Sequence, residues 1–174
     1  MALDVEAARV AGEWVRHAPH RSSLLGRAAE PTDGRWQHGG VVRGLYLADC
    51  AMTATAEWYR FLAERGVPPS RAVPHDHHIW RIELELADLS SPERLAGVGL
   101  ALPRPSRRTW RAFQDVGDAL WRAGWSGLLA PSAARPAAQV VCVFDLGAWP
   151  PLGCDPLRTV EIAEAPPPPT GMTT

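Results

Sequence analysis

The chain has 174 residues, 46% of them apolar and 21% charged, which is enough to bury one sizeable core and excludes wholesale disorder. Eighteen basic residues, all arginine, face 19 acidic ones, so no domain-wide positive field exists to hold nucleic acid. The absence of lysine excludes Schiff-base chemistry on a lysine amine.

No stretch reaches the roughly 20 apolar residues of a membrane helix. Asp4 and Glu6 stand where a secretory leader carries positive charge. Cys50, Cys142 and Cys154 are too few and too widely spaced for a disulfide framework or a zinc ribbon. Together these features predict reduced thiols in a cytoplasmic protein.

In chain order, Asp4–Ala11 reads as a short helix leading into a strand around Glu13–His17. The segment from Pro19 to Gly40 is loop-rich, with turn signals at Pro31, Asp33-Gly34 and Gly39-Gly40. Arg43–Ala48 predicts a strand. Asp49 is placed to cap a helix over Cys50–Arg65, which Gly66 and Pro68-Pro69 end. Met52, Thr55, Tyr59 and Leu62 share one side of that helix at helical spacing.

The clearest strand is His78–Asp88, where Trp80, Ile82, Leu84 and Leu86 alternate with Arg81, Glu83 and Glu85. Ser91-Pro92-Glu93 opens a short helix. Ser106 caps a longer one to Trp121, with Trp110, Phe113, Val116 and Leu120 as its apolar stripe. Gly127–Ser132, Gln139–Asp145 and Thr159–Ala163 predict three more strands, the second fully buried. A Pro-rich tail over 165–174 is expected to be flexible. The pattern predicts a compact single α+β domain over 1–164, with short, mostly antiparallel strands and two main helices. No Rossmann glycine pattern and no phosphate-binding loop is present.

The block from Gly34 to Arg60 is rich in groups that carry chemistry. Each has a plain structural reading. Arg35 beside Trp36 fits a surface cation–π pair. Tyr46 in an apolar strand fits a core phenol. Glu57 has Arg60 one turn on, as in a solvated ion pair, yet its small and apolar helical neighbours also fit a partly buried carboxylate with a task. Ser132 after a proline fits a turn. Cys142 within an apolar run fits an inert thiol. His75-Asp76-His77-His78 invites a metal, but neighbours on an extended segment point to opposite sides. A polar loop entering a strand is the reading preferred here, and no metal is expected.

Taken jointly, WVRH at 14–17, DGRW at 33–36, GLYLAD at 44–49, AEWYR at 56–60, GLLAPS at 127–132 and VVCVF at 140–144 resemble the RES-domain family. The resemblance spans residues 13–146, and eleven positions separate Arg35 from Tyr46 and Tyr46 from Glu57. It implies a fold similar to the ADP-ribosyltransferases and a toxin that consumes NAD+ as phosphorylase or glycohydrolase, neutralised by a cognate antitoxin protein. Protein mono-ADP-ribosylation, and a non-catalytic nucleotide- or partner-binding domain, stand as alternatives. A metal hydrolase at His75, His77 and His78 is a remoter one. The resemblance assigns Arg35, Glu57 and Ser132 as the family's named trio. Arg16 takes the early arginine position and Tyr46 the aromatic one. NAD, as substrate, would then be held by Arg16 and Arg35 at its pyrophosphate and by Trp36 or Tyr46 at its nicotinamide. Ser132 would serve a ribose hydroxyl or orient the carboxylate.

Overall fold

The computed structural model describes residues 3–26 and 32–173, so the turn signal at Pro31 lies outside the described residues. Six strands, β1 (Ala7–Pro19), β2 (Gly44–Ala48), β3 (His75–Asp88), β4 (Gly127–Pro131), β5 (Gln139–Phe144) and β6 (Cys154–Ile162), form one sheet in the order β1-β2-β5-β4-β3-β6. All ladders are antiparallel except the short β3–β4 pair. β1 also pairs with β3 along its whole length, Ala7 opposite Ala87 and Pro19 opposite His75. The sheet therefore curls until its first strand meets its fifth, and β6 is added along the first half of β3.

This ladder explains two departures from the sequence reading. The predicted helix over Asp4–Ala11 is strand from Ala7 onward. Its side chains alternate, with Arg9 exposed and Val10 buried, because thirteen consecutive pairs to β3 outweigh alanine's helical preference. The His75–His78 segment is not an entering loop but the start of β3. It is buried between β1 and β6, with His17 opposite His77. Trp58 closes it from above, stacked on His75 with ring centroids 4.2 Å apart.

The two main helices are α1 (Ala51–Ala63) and α3 (Trp110–Arg122), with the short α2 (Pro92–Gly97) between them. Cys50, not Asp49, occupies the N-cap of α1. Asp49 instead joins the end of β2 to the start of β5, its Oδ2 accepting from the Gln139 amide at 2.9 Å. The buried face of α1 carries Ala54, Thr55, Trp58 and Leu62, while Met52 is exposed. Ser91 caps α2 as its sequence position predicts, accepting from the Arg94 amide, whereas Ser106 caps the 3-10 turn Arg107–Thr109 before α3, accepting from the Arg108 amide, and Thr109 takes the N-cap of α3 itself. Phe113, Val116 and Leu120 of α3 pack into a core with Trp36, Leu128 and Phe144. A second core, with Trp14, Leu47, Trp80 and Val143, fills the curl of the sheet. No helix among the described residues is long and apolar enough to cross a membrane.

Beyond β6, residues 165–173 run back over the molecule. Tyr59 of α1 donates to the Pro166 carbonyl, and the Thr173 amide donates to the Ala134 carbonyl at 2.8 Å.

Candidate active site

A cleft of about 340 Å³ opens between α1, the start of α3, β1, β2 and the loop before β2. Arg16, Arg35, Trp36, Tyr46 and Glu57 line it. Ser132 lies immediately behind, between the lining residues Pro131 and Ala133. The structure thus gathers in one place six residues that span 117 positions of sequence, from Arg16 to Ser132.

The loop carrying Arg35 is held from two sides. On the β2 side, Tyr46 Oη accepts from the Trp36 amide at 2.9 Å and donates to Gln37 Oε1. On the α3 side, Gln114 Nε2 donates to the Gly34 carbonyl at 2.8 Å, and Asp118 Oδ2 lies 2.6 Å from His38 Nδ1. Helix and loop meet so closely that a Cβ on Gly117 would collide with the Trp36 carbonyl. The Trp36 side chain, 1% exposed, packs edge-on against Phe113 as part of the core beneath the cleft.

Arg35 is itself only 7% exposed. Its guanidinium lies over the rings of Phe113 and Trp110, 5.5 and 5.8 Å from their centroids. Nη2 donates to the Arg104 carbonyl at 2.7 Å, whereas Nη1 has no hydrogen-bond partner among the described residues. Burial, reinforced by the Arg60 charge, pushes its pKa down to about 10, so it stays cationic at neutral pH. A buried cation with a free N–H is costly alone and favourable with an anion against it. The side chain of Arg16, half-buried on β1, makes no hydrogen bond or ion pair among the described residues. Burial lowers its pKa.

Glu57 is fixed by α1, by the turn after β4 and by a cation. Its Oε1 accepts from Ser132 Oγ at 2.7 Å and more distantly from the Ala134 amide at 3.4 Å. Its Oε2 accepts from Arg60 Nε at 2.8 Å. Burial pushes the carboxyl pKa up, but the Arg60 charge and the bonds from Ser132, Arg60 and Ala134 outweigh it. The group is therefore held ionised, below the usual carboxylate range. Glu57 pairs with Arg60 as its spacing predicts, but the pair is largely buried rather than solvated. Ser132, fully buried, accepts in turn from the Ala134 and Arg135 amides at 3.2 and 3.0 Å. Its hydroxyl thus faces the carboxylate rather than the cleft.

Several lining residues were not singled out from sequence as parts of a site. Phe61 and Glu64 follow Glu57 at helical spacing on α1, and that periodicity was the available signal. Trp110 opens α3 and Arg107 lies in the 3-10 turn just before it, and no local pattern ties them to the Gly34–Arg60 block. His17 enters beside Arg16, and burial pushes it down to about 3 despite the pull of Glu57, so it is neutral. No group of three or more His, Cys, Asp or Glu side chains among the described residues is arranged to hold a metal ion. Cys142 is fully buried and its thiol is pushed up to about 12, which makes it inert.

Fold and cleft together define an α+β domain whose cleft is lined by a buried guanidinium and a clamped carboxylate. The chain belongs to the RES domain family, whose profile its residues 6–160 match. It is 28% identical over 117 residues to proteins named NAD(+) phosphorylase MbcT from Mycobacterium bovis and Mycobacterium tuberculosis. That similarity covers 66% of this chain and 63% of those relatives, so the chain spans less than two thirds of their length. Its fold is similar to that of a chain in the crystal structure of the M. tuberculosis MbcT–MbcA toxin–antitoxin complex. The TM-score is 0.75 at 21% identity, over 90% of this chain and 87% of the other.

Proposed function

We propose that this chain cleaves NAD+ at the nicotinamide–ribose bond and is the toxic member of a toxin–antitoxin pair. One observation carries the reading: the Arg35 guanidinium, whose Nη1 has no partner among the described residues, and the clamped Glu57 carboxylate line the same cleft. Arg35, with Arg16, supplies the fixed positive charge that a pyrophosphate requires. Tyr46, half-buried in the cleft wall, offers the aromatic surface for the nicotinamide. Trp36 acts beneath it as an anchor for the Arg35 loop.

The bond breaks with its electron pair passing to the nicotinamide nitrogen, which already carries positive charge and needs no general acid. The positive charge left on the ribose C1″–O4″ unit is stabilised by Glu57, whose anionic state is secured before substrate arrives. Ser132 positions that carboxylate. The cation is then captured by an oxygen of inorganic phosphate, or by water with loss of a proton to solvent. The relatives named NAD(+) phosphorylase favour phosphate. The structural likeness to a toxin from a toxin–antitoxin complex supports a protein antitoxin as partner.

The test incubates the purified chain with NAD+ and follows free nicotinamide with and without inorganic phosphate. Release accelerated by phosphate is expected. Release independent of phosphate identifies a hydrolase, and label from NAD+ fixed on a protein identifies an ADP-ribosyltransferase. Absence of nicotinamide release under all conditions contradicts the reading.

A further inference from the structure

The segment 165–173 lies beyond the stretch that matches the family, yet it is bonded to both supports of Glu57. Near its start, the Pro166 carbonyl accepts from Tyr59, two residues along α1 from Glu57. Midway, the Thr170 carbonyl accepts from Arg135 Nε at 3.0 Å. At its far end, Thr173 donates its amide to the Ala134 carbonyl at 2.8 Å and its hydroxyl to the Ala133 carbonyl at 3.1 Å. Ala134 is the residue whose own amide points at Glu57 Oε1. Arg135 completes the bridge, its Nη1 donating to Thr53 Oγ1 of α1 at 3.1 Å.

We propose that Pro166–Thr173 is a strap that holds the Ser132–Arg135 turn against α1, positions Glu57 and thereby sets turnover rather than substrate affinity. The strap touches the turn and the helix from outside, and none of its residues lines the cleft. It therefore acts on substrate only through Glu57. Its four consecutive prolines, Pro166–Pro169, restrict the free segment to extended shapes and lessen the entropy lost on docking. The turn gains most from such support. The Ala134 amide and the Ser132 hydroxyl aim at a single carboxylate oxygen, and small displacements there weaken a charge-assisted bond steeply.

The inference rests on Glu57 being the catalytic carboxylate, and the experiment separates the two ideas. The full chain is compared with a variant ending at Ala165 and with Thr173→Pro, which deletes both Thr173 donors and keeps the remainder of the chain. Nicotinamide release gives kcat and KM, and amide hydrogen exchange is followed across residues 132–138. The truncated form is expected to lose at least about fivefold in kcat, with KM within about twofold of the full chain. Exchange in the turn is expected to quicken by about tenfold or more. Thr173→Pro is expected to move both readouts the same way by less, and it decides the matter should the truncated chain not fold. Unchanged exchange overturns the strap. So does quickened exchange with unchanged kcat, or a loss confined to KM. If the full chain releases no nicotinamide, the NAD+ reading fails by itself, while exchange still reports whether the strap holds the turn.

Discussion

The Ser132 hydroxyl donates to Glu57 Oε1 at 2.7 Å, joining two residues 75 positions apart in sequence. The bond fixes one carboxylate oxygen while Arg60 fixes the other. Removing it should disturb the rate without disturbing substrate capture. A hydrogen bond to a charged group contributes about 1.5–3 kcal/mol, so Ser132→Ala should lower kcat roughly 10- to 150-fold. Its KM should stay near that of the parent, and steady-state nicotinamide release measures both. A rise in KM with kcat intact would place Ser132 on the substrate instead.

Arg35 predicts the opposite split. Its planar fork is buried over two aromatic rings, with Nη1 unpartnered among the described residues, an arrangement that lysine cannot reproduce. Arg35→Lys should raise KM for NAD+ by about tenfold or more, equivalent to roughly 1.4 kcal/mol of lost binding. It should also reduce the upward shift in melting temperature that NAD+ gives the parent. A variant that binds NAD+ as the parent does would remove Arg35 from the binding site.

Gly117 tests whether α3 supports the Arg35 loop. A methyl group there meets the Trp36 carbonyl, and helix or loop must move. Overpacking of this kind costs about 1–3 kcal/mol, which for a chain of this size lowers the melting temperature by about 2–12 °C. Gly117→Ala should therefore melt earlier and lose NAD+ affinity together. Calorimetry showing the parent's melting temperature would refute the close packing.

The buried histidines set the acid side of stability. Burial holds His77 at about 4, below its ordinary 6.5. Between those values the unfolded chain takes up a proton that the folded chain refuses. Stability therefore falls as pH drops from 6.5 toward 4, by about 1.4 kcal/mol per pH unit from this residue once well below 6.5. Glu57 acts in the same direction at lower pH. Its lowered folded pKa contributes stability above 4.5 that is lost only as pH falls through the folded value. Thermal melts from pH 7 to 5 should show decreasing stability, and His77→Gln should flatten the slope. An equal slope in the variant would contradict a neutral, buried His77.

Much of this architecture is legible in residue patterns. The alternation over Trp80–Leu86, the cap at Ser91 and the stripe Phe113–Val116–Leu120 are local signals, and all appear where they are expected. The strand at Ala7–Ala11 was hidden because alanine and charged residues favour helix locally, and only the partner strand 70 or more positions later overrides them. His75–His78 were hidden for a related reason. Polar residues enter a sheet interior only when neighbours on both sides and Trp58 above enclose them. In the site, the spacing of Arg35, Tyr46 and Glu57 carried its signal in sequence. The clamp between Glu57 and Ser132 arises from the meeting of α1 with the turn after β4, and no spacing encodes it. The same holds for the Trp110 ring above Arg35.

The account depends most on Glu57 being the anion that stabilises the ribosyl cation. Steady-state nicotinamide release by Glu57→Gln, in saturating phosphate, tests this most directly. The substitution keeps the shape and removes the charge. The account predicts a fall in kcat of well over tenfold, with NAD+ still raising the melting temperature. A fall of less than about tenfold, under roughly 1.4 kcal/mol of barrier, would contradict it.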